Sequence, residues 1–122
     1  MRIFNSPAGE PMLLDTAQGL RVLQQAFDAF LSSPSVATSF AATTDGSPAP
    51  YDEFLSGLRV TKGGERRLQF SSDRWLELSG SPQDLQLFHE CLAPTDGDHR
   101  HWRGQPVSLI IEADNSRPEH EA

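Results

Sequence analysis

The sequence predicts an α+β fold, in which a mainly antiparallel sheet of four to five strands carries two helices packed on one face. Two segments have apolar residues at helical spacing, and several short segments alternate apolar and polar residues as strands do. The 122 residues suit one domain, since a domain commonly holds about 150 residues. We divide the chain into an extended lead-in at 1–14, a single domain at 15–114 and a flexible polar tail at 115–122.

The first helix is expected at 15–32. Asp15 and Gln18 match a capping box at its start, and Pro34 lies just beyond its end. Apolar residues recur every three or four positions and form one face of this helix, namely Leu20, Leu23, Phe27 and Phe30.

The middle of the chain predicts most of the sheet. A strand is expected over 36–42 and one helical turn over 50–55, opened by Pro50. Gly63 and Gly64 supply a turn between two strands, and a third strand follows. We therefore expect a three-stranded antiparallel meander with one apolar face, made of Leu58, Val60, Leu68, Phe70, Leu76 and Leu78.

The second helix is expected at 82–92. Ser81 suits the N-cap position, Pro82 the first helical position, and Asp84 the first turn. A short edge strand is expected at 99–103. The last strand has apolar residues on both faces around Ile110, which indicates a central or covered position in the sheet.

The charge balance bears on the class of partner. Ten Lys and Arg stand against seventeen Asp and Glu, giving a net charge of −7. This excess disfavours nucleic acid and anionic membranes, because both are bound through basic side chains, and it suits a partner with a basic surface. No apolar run approaches the roughly 20 residues of a membrane span. With neither a signal peptide nor a second cysteine to pair with Cys91, we expect a cytoplasmic protein.

The sequence predicts no catalytic residues, no cofactor and no metal ion, so we do not expect an enzyme. Cys91 falls on the apolar face of the second helix near its carboxyl end, which favours a core role over a nucleophilic one. His99 and His101 are two residues apart in a strand, so both side chains point to one face and could share an ion. His89 and Cys91 are the nearest further candidate ligands, but they are two positions apart on the second helix, so their side chains point in different directions. A metal- or ligand-binding accessory domain using this histidine loop is therefore the alternative.

The candidate residues for binding a partner fall into two groups, the tryptophans and the residues of two acidic segments. Trp75 and Trp102 are predicted either to be exposed, where tryptophan is enriched in binding hot spots, or to cover a second small apolar cluster with Ile110. The polar loop before the edge strand and the end of the last strand are acidic. The candidate partner-binding residues are Asp96, Asp98, His99, His101, Trp102, Trp75, Glu112 and Asp114.

A resemblance to a known family rests on four segments in matched order. They are 50–60 (PYDEFLSGLRV), 75–82 (WLELSGSP), the histidine-rich loop and 108–114 (SLIIEAD). In these segments the chain resembles the polymorphic-toxin immunity proteins, numbered class thirty-two, and the resemblance covers about residues 50–114. It implies a cytoplasmic protein that binds and neutralises a cognate bacterial toxin domain.

Overall fold

The computed structural model describes residues 1–6 and 9–116. Within these ranges it contains two helices and eight strands, which confirms the α+β class. In chain order the elements are β1 (Arg2–Asn5), β2 (Met12–Asp15), α1 (Ala17–Ser32), β3 (Ala37–Ala41), β4 (Glu53–Phe54), β5 (Gly57–Phe70), β6 (Trp75–Gly80), α2 (Pro82–Cys91), β7 (His99–Trp102) and β8 (Leu109–Ala113). Of the predicted polar tail, residues 117–122 lie outside the described part of the chain.

The first sheet has five strands in the order β4-β1-β2-β8-β7. Its pairings are antiparallel except between β2 and β8, which are parallel. The predicted extended lead-in thus contributes two strands, and Leu13 pairs with Ile111 across 98 positions of sequence. As predicted, β7 is an edge strand and β8 is flanked by a strand on each side.

The second sheet has the order β3-β5-β6. Residues 57–62, the first arm of β5, pair parallel with β6, and residues 67–70, the second arm, pair antiparallel with it. Since Leu78 pairs with both Val60 and Leu68, β6 lies between the two arms. The Gly-Gly turn is where the sequence predicts it, but the expected order of a meander is wrong. Of the three predicted strands, the last in sequence, β6, lies between the other two, which are the arms of β5.

Both helices begin at side-chain caps. In α2 the prediction is confirmed: Ser81 accepts the backbone N–H of Asp84 at 3.1 Å, and the Asp84 carboxylate accepts the N–H of Ser81 at 3.1 Å. In α1 the predicted cap is wrong by one residue, because Thr16 accepts the N–H of Gly19 at 3.0 Å. Asp15 is instead the last residue of β2, where it pairs with Ala113 and is buried.

One hydrophobic core joins the two sheets and the two helices. Helix α2 contacts β5 and β6 of the second sheet and β7 of the first, while α1 contacts α2 and β2. Phe27 lies at the centre, with its ring 5.3 Å from Phe88 and 6.1 Å from Phe40. The fully buried members include Ile3, Leu13, Leu20, Phe27, Leu58, Leu68, Leu76, Leu85, Phe88, Leu109 and Ile111.

The opposite face of the first sheet is also apolar. Phe4, Met12, Leu14 and Phe54 form a smaller buried cluster there, with Ile110 and Tyr51 packed against it. This cluster explains why residues 53–54 form a strand and not the predicted helical turn. Phe54 pairs with Phe4 in the sheet, and their rings lie 5.2 Å apart.

The prediction of core burial is wrong for one residue. Phe70, at the end of the second arm, is 41% exposed, whereas Leu76, with which it pairs, is fully buried. Its strand ends at the edge of the sheet, where the core no longer covers it.

Candidate partner-binding surface

Most of the predicted partner-binding residues meet at one open edge of the first sheet. β7 pairs with β8 on one side only, so its other side faces outward. The register places His99 opposite Glu112 and His101 opposite Ile110. We call this surface the acidic edge and define it by Asp96, Asp98, His99, His101, Glu112 and Asp114.

The two histidines of the acidic edge lie on one face, as the strand period predicts. The rings of His99 and His101 are 5.2 Å apart at an angle of 77°, and both residues are exposed. Within the described residues neither imidazole hydrogen-bonds to a carboxylate, and both are open to a partner.

The loop before β7 is fixed by its own hydrogen bonds. Gly97 has a φ of +81°, a conformation that favours glycine, and its N–H donates to the carbonyl of Ala113 at 2.8 Å. Asp96 Oδ1 accepts the N–H of Asn115 at 2.7 Å, and the Asp98 carbonyl accepts the N–H of Ala113 at 3.1 Å. The two aspartates are therefore held beside the end of β8 without being buried.

The charge of the edge is mainly negative. Arg100, the basic residue between the two histidines, donates from Nη1 to Asp98 Oδ2 at 3.3 Å. Asp114 follows β8 directly, and its Oδ1 accepts the N–H and the hydroxyl of Ser116 at 3.0 and 2.6 Å. Glu112 is half-buried on the same face as the histidines. The edge thus holds four carboxylates, one of which, Asp98, is paired with Arg100.

Trp102 does not belong to this surface, and the expectation that it is exposed is wrong. It is only 1% exposed, because it pairs with Leu109 on the core side of the strand while His99 and His101 point outward. Its ring meets that of Phe88 edge to face, with centroids 5.4 Å apart. We assign it to the core.

Trp75 lies on the other sheet. The guanidinium of Arg59 lies over its ring, 4.6 Å from the centroid, so the indole is half-buried. Arg59 also donates two hydrogen bonds to the carboxylate of Asp73, at 3.1 and 2.6 Å. The Arg59 guanidinium, with the hydroxyl of Ser71, lowers the pKa of Asp73 from 3.8 to about 2. The structure therefore separates Trp75 from the acidic edge.

The groups considered for catalysis or metal binding do not converge. His89 faces α1, with Nε2 3.9 Å from Asp28, whereas Cys91 lines an open groove of about 420 Å³ beside Arg100 and Arg66. Burial raises the pKa of the Cys91 thiol, which disfavours the nucleophilic thiolate. In residues 1–6 and 9–116 no group of three or more His, Cys, Asp or Glu is arranged to hold a metal ion.

Comparisons with known proteins give no relative. No protein-family model matches the chain, and neither the curated proteins nor the solved structures yield a match. The resemblance to immunity proteins therefore stays a prediction from the sequence. No helix among the described residues has both the length and the apolar character needed to cross a membrane.

One surface was missed by the sequence reasoning. β3 forms an edge of the second sheet, and its residues Ala37, Ser39 and Ala41 are exposed. A signal for it existed, because no charged residue occurs from position 29 to position 44. Alternation with small side chains identified the strand but not which of its two sides would remain open.

Proposed function

We propose that this chain is a cytoplasmic, non-enzymatic immunity protein that binds a cognate toxin domain through the acidic edge and occludes it. The observation that carries the proposal is the grouping of four carboxylates and two exposed imidazoles at one edge strand of the first sheet. These groups come from two separated segments, and the pairing of β7 with β8 brings them together. Such a surface suits a protein partner, since an exposed sheet edge with charged side chains offers contact area to another protein.

The chemistry of the edge specifies a basic partner. Carboxylates at an exposed rim steer an oppositely charged protein and raise its association rate. A toxin that cleaves nucleic acid carries Lys and Arg for phosphate, so its active site is a suitable target for Asp96 and Asp98. The imidazoles of His99 and His101 add hydrogen-bonding groups at the centre of the surface.

The test is a rescue experiment with charge-reversed variants. The candidate toxin to co-express with each variant is the C-terminal domain of any secreted protein that the neighbouring gene encodes. We expect Asp96→Lys/Asp98→Lys to lose protection, and Asp28→Lys/Glu65→Lys to keep it. The two double variants change the net charge equally, and Asp28 and Glu65 are exposed outside the acidic edge.

The folded state of each variant is checked by urea unfolding, because Asp96→Lys removes a hydrogen bond to the backbone of Asn115. A folded Asp96→Lys/Asp98→Lys variant that still protects cells would remove the acidic edge from the interface. If the neighbouring gene encodes no toxic domain, or if the wild-type chain gives no protection, the proposed function is wrong.

A further inference from the structure

The two sheets have four outer edges, and at three of them the pairing of a further strand is disfavoured. β4 has only two residues, one of them Glu53, so it offers little backbone for pairing. β7 carries histidines and the Arg100–Asp98 ion pair, and charged side chains discourage another strand. The second arm of β5 is covered by the chain around Pro106, since the N–H of Leu68 donates to the carbonyl of Gln105 at 2.9 Å. β3 is the fourth edge.

β3 presents unpaired backbone groups along its whole length. The carbonyl of Val36 accepts from Lys62, and the N–H of Ala42 donates to Ser56, so the even-numbered residues face β5. Ala37, Ser39 and Ala41 consequently direct their N–H and C=O groups away from the sheet. Within the described residues none of these backbone groups has a partner.

None of the usual protections of an edge strand is present in β3. Natural edges are blunted by Lys, Pro, a bulge or great shortness. β3 is five residues long, contains no charge or proline, and pairs with β5 without a register shift. Val36, just before it, is 69% exposed, which makes it one of the large apolar side chains left in contact with water. A bare, uncharged edge of this kind favours a second strand beside it.

We propose that β3 pairs antiparallel with β3 of a second copy of this chain, centred on Ser39, and so joins two second sheets into one. In this register Ser39 lies opposite its own counterpart, and Ala37 lies opposite Ala41 of the other copy. Each of these pairs exchanges two N–H···O bonds. Val36 lies opposite Ala42, which covers its exposed side chain.

The second copy is the occupant that the charges favour. The edge is neutral from position 29 to 44, so two identical edges meet without a like-charge contact. The chain as a whole carries a net charge of −7, and a partner attracted by that charge would find no carboxylate on β3. A two-fold arrangement also requires a self-complementary surface, and small side chains at 37, 39 and 41 provide one.

A pair of matched variants tests the register. Ala37→Lys/Ala41→Glu places Lys opposite Glu twice across the two-fold axis, whereas Ala37→Lys/Ala41→Lys places Lys opposite Lys. By sedimentation velocity we expect the wild type and the Lys/Glu variant to reach twice the single-chain mass of 13.5 kDa as concentration rises. The Lys/Lys variant should remain monomeric, although it lowers the net negative charge and so weakens general repulsion.

Amide exchange measured by NMR identifies the strand directly. The N–H groups of Ala37, Ser39 and Ala41 should be protected at high protein concentration and exchange freely at low concentration. Thr38 and Phe40 should be protected at both, because their N–H groups face β5. A wild type that stays monomeric, or Lys/Glu and Lys/Lys variants that associate equally, would overturn the proposal. Because both readouts use the isolated chain, failure here leaves toxin binding unaffected.

Discussion

The guanidinium of Arg66 lies over the indole of Trp102, 3.7 Å from the ring centroid. Arg66 belongs to the turn between the two arms of β5, and Trp102 ends β7, so the contact joins the second sheet to the first. The Nε–H of Arg66 also donates to the carbonyl of Arg103 at 2.8 Å. This contact explains how a tryptophan next to a polar loop is nearly inaccessible to solvent.

We expect Trp102→Ala to destabilise the fold by about 3–5 kcal/mol, the usual cost of truncating a buried aromatic residue. Arg66→Ala should cost less, on the order of 0.5–2 kcal/mol, since it removes a cation–π contact from the protein surface. Urea unfolding of both variants measures the two differences. A Trp102→Ala variant as stable as the wild type would show that Trp102 is not part of the core.

The second prediction concerns Gly57, where the first arm of β5 begins. A Cβ atom at this position would collide with the carbonyl oxygen of Phe40 and with the ring of Trp75. Because the Phe40 oxygen belongs to the backbone of a paired strand, it cannot move aside cheaply. We expect Gly57→Ala to lower the free energy of unfolding by about 1–3 kcal/mol, the range for overpacking. An unchanged urea midpoint would show that β3 lies farther from β5 than the structure has it.

The third prediction is a pH dependence at Asp73. Its pKa in the folded state is about 2, below the ordinary 3.8, because Arg59 stabilises the carboxylate. The stabilisation is therefore present above pH 3.8 and is lost as the pH falls toward 2. In an NMR titration of the Asp73 carboxyl carbon, Arg59→Gln should raise the midpoint toward 3.8. An unshifted midpoint in the wild type would contradict the ion pair.

The fourth prediction concerns the reactivity of Cys91. Burial raises the pKa of its thiol above the ordinary 9.0, so little thiolate exists at neutral pH. Iodoacetamide should alkylate the folded protein more slowly than the urea-unfolded chain at the same pH. The rate for the folded protein should still be rising with pH where the rate for the unfolded chain has begun to level off. Rapid alkylation at neutral pH would instead indicate an activated cysteine and would reopen the question of an enzyme.

Local signals in the sequence predicted local structure well. The cap formed by Ser81 and Asp84, the end of α1 before Pro34, and the edge position of β7 all depend on residues close together in the chain. The apolar alternation around Ile110 also predicted a strand covered on both sides. In these places, propensity and hydrogen bonding within a few residues decide the outcome.

Pairing between distant segments was not predictable in the same way. β1 and β2 have four residues each, too few to show a period, and β2 is fixed by parallel pairing with β8. The position of β6 between the two arms of β5 likewise depends on the whole sheet. The burial of Trp102 follows from that arrangement, since Arg66 reaches it only from the other sheet. For the same reasons, the sequence did not show which side of β3 would be left without a neighbouring strand.

The central claim is that this protein acts by binding and not by catalysis, and a titration of toxin activity tests it most directly. Purified chain is added in increasing amounts to a fixed amount of the toxin domain, and the remaining activity is measured after equilibration. If the chain occludes the toxin, toxin activity should fall linearly with added chain and reach zero at an equimolar ratio. Added salt should weaken the binding, as expected for a charged interface. Complete inactivation by a small fraction of an equivalent, growing with time, would contradict the account.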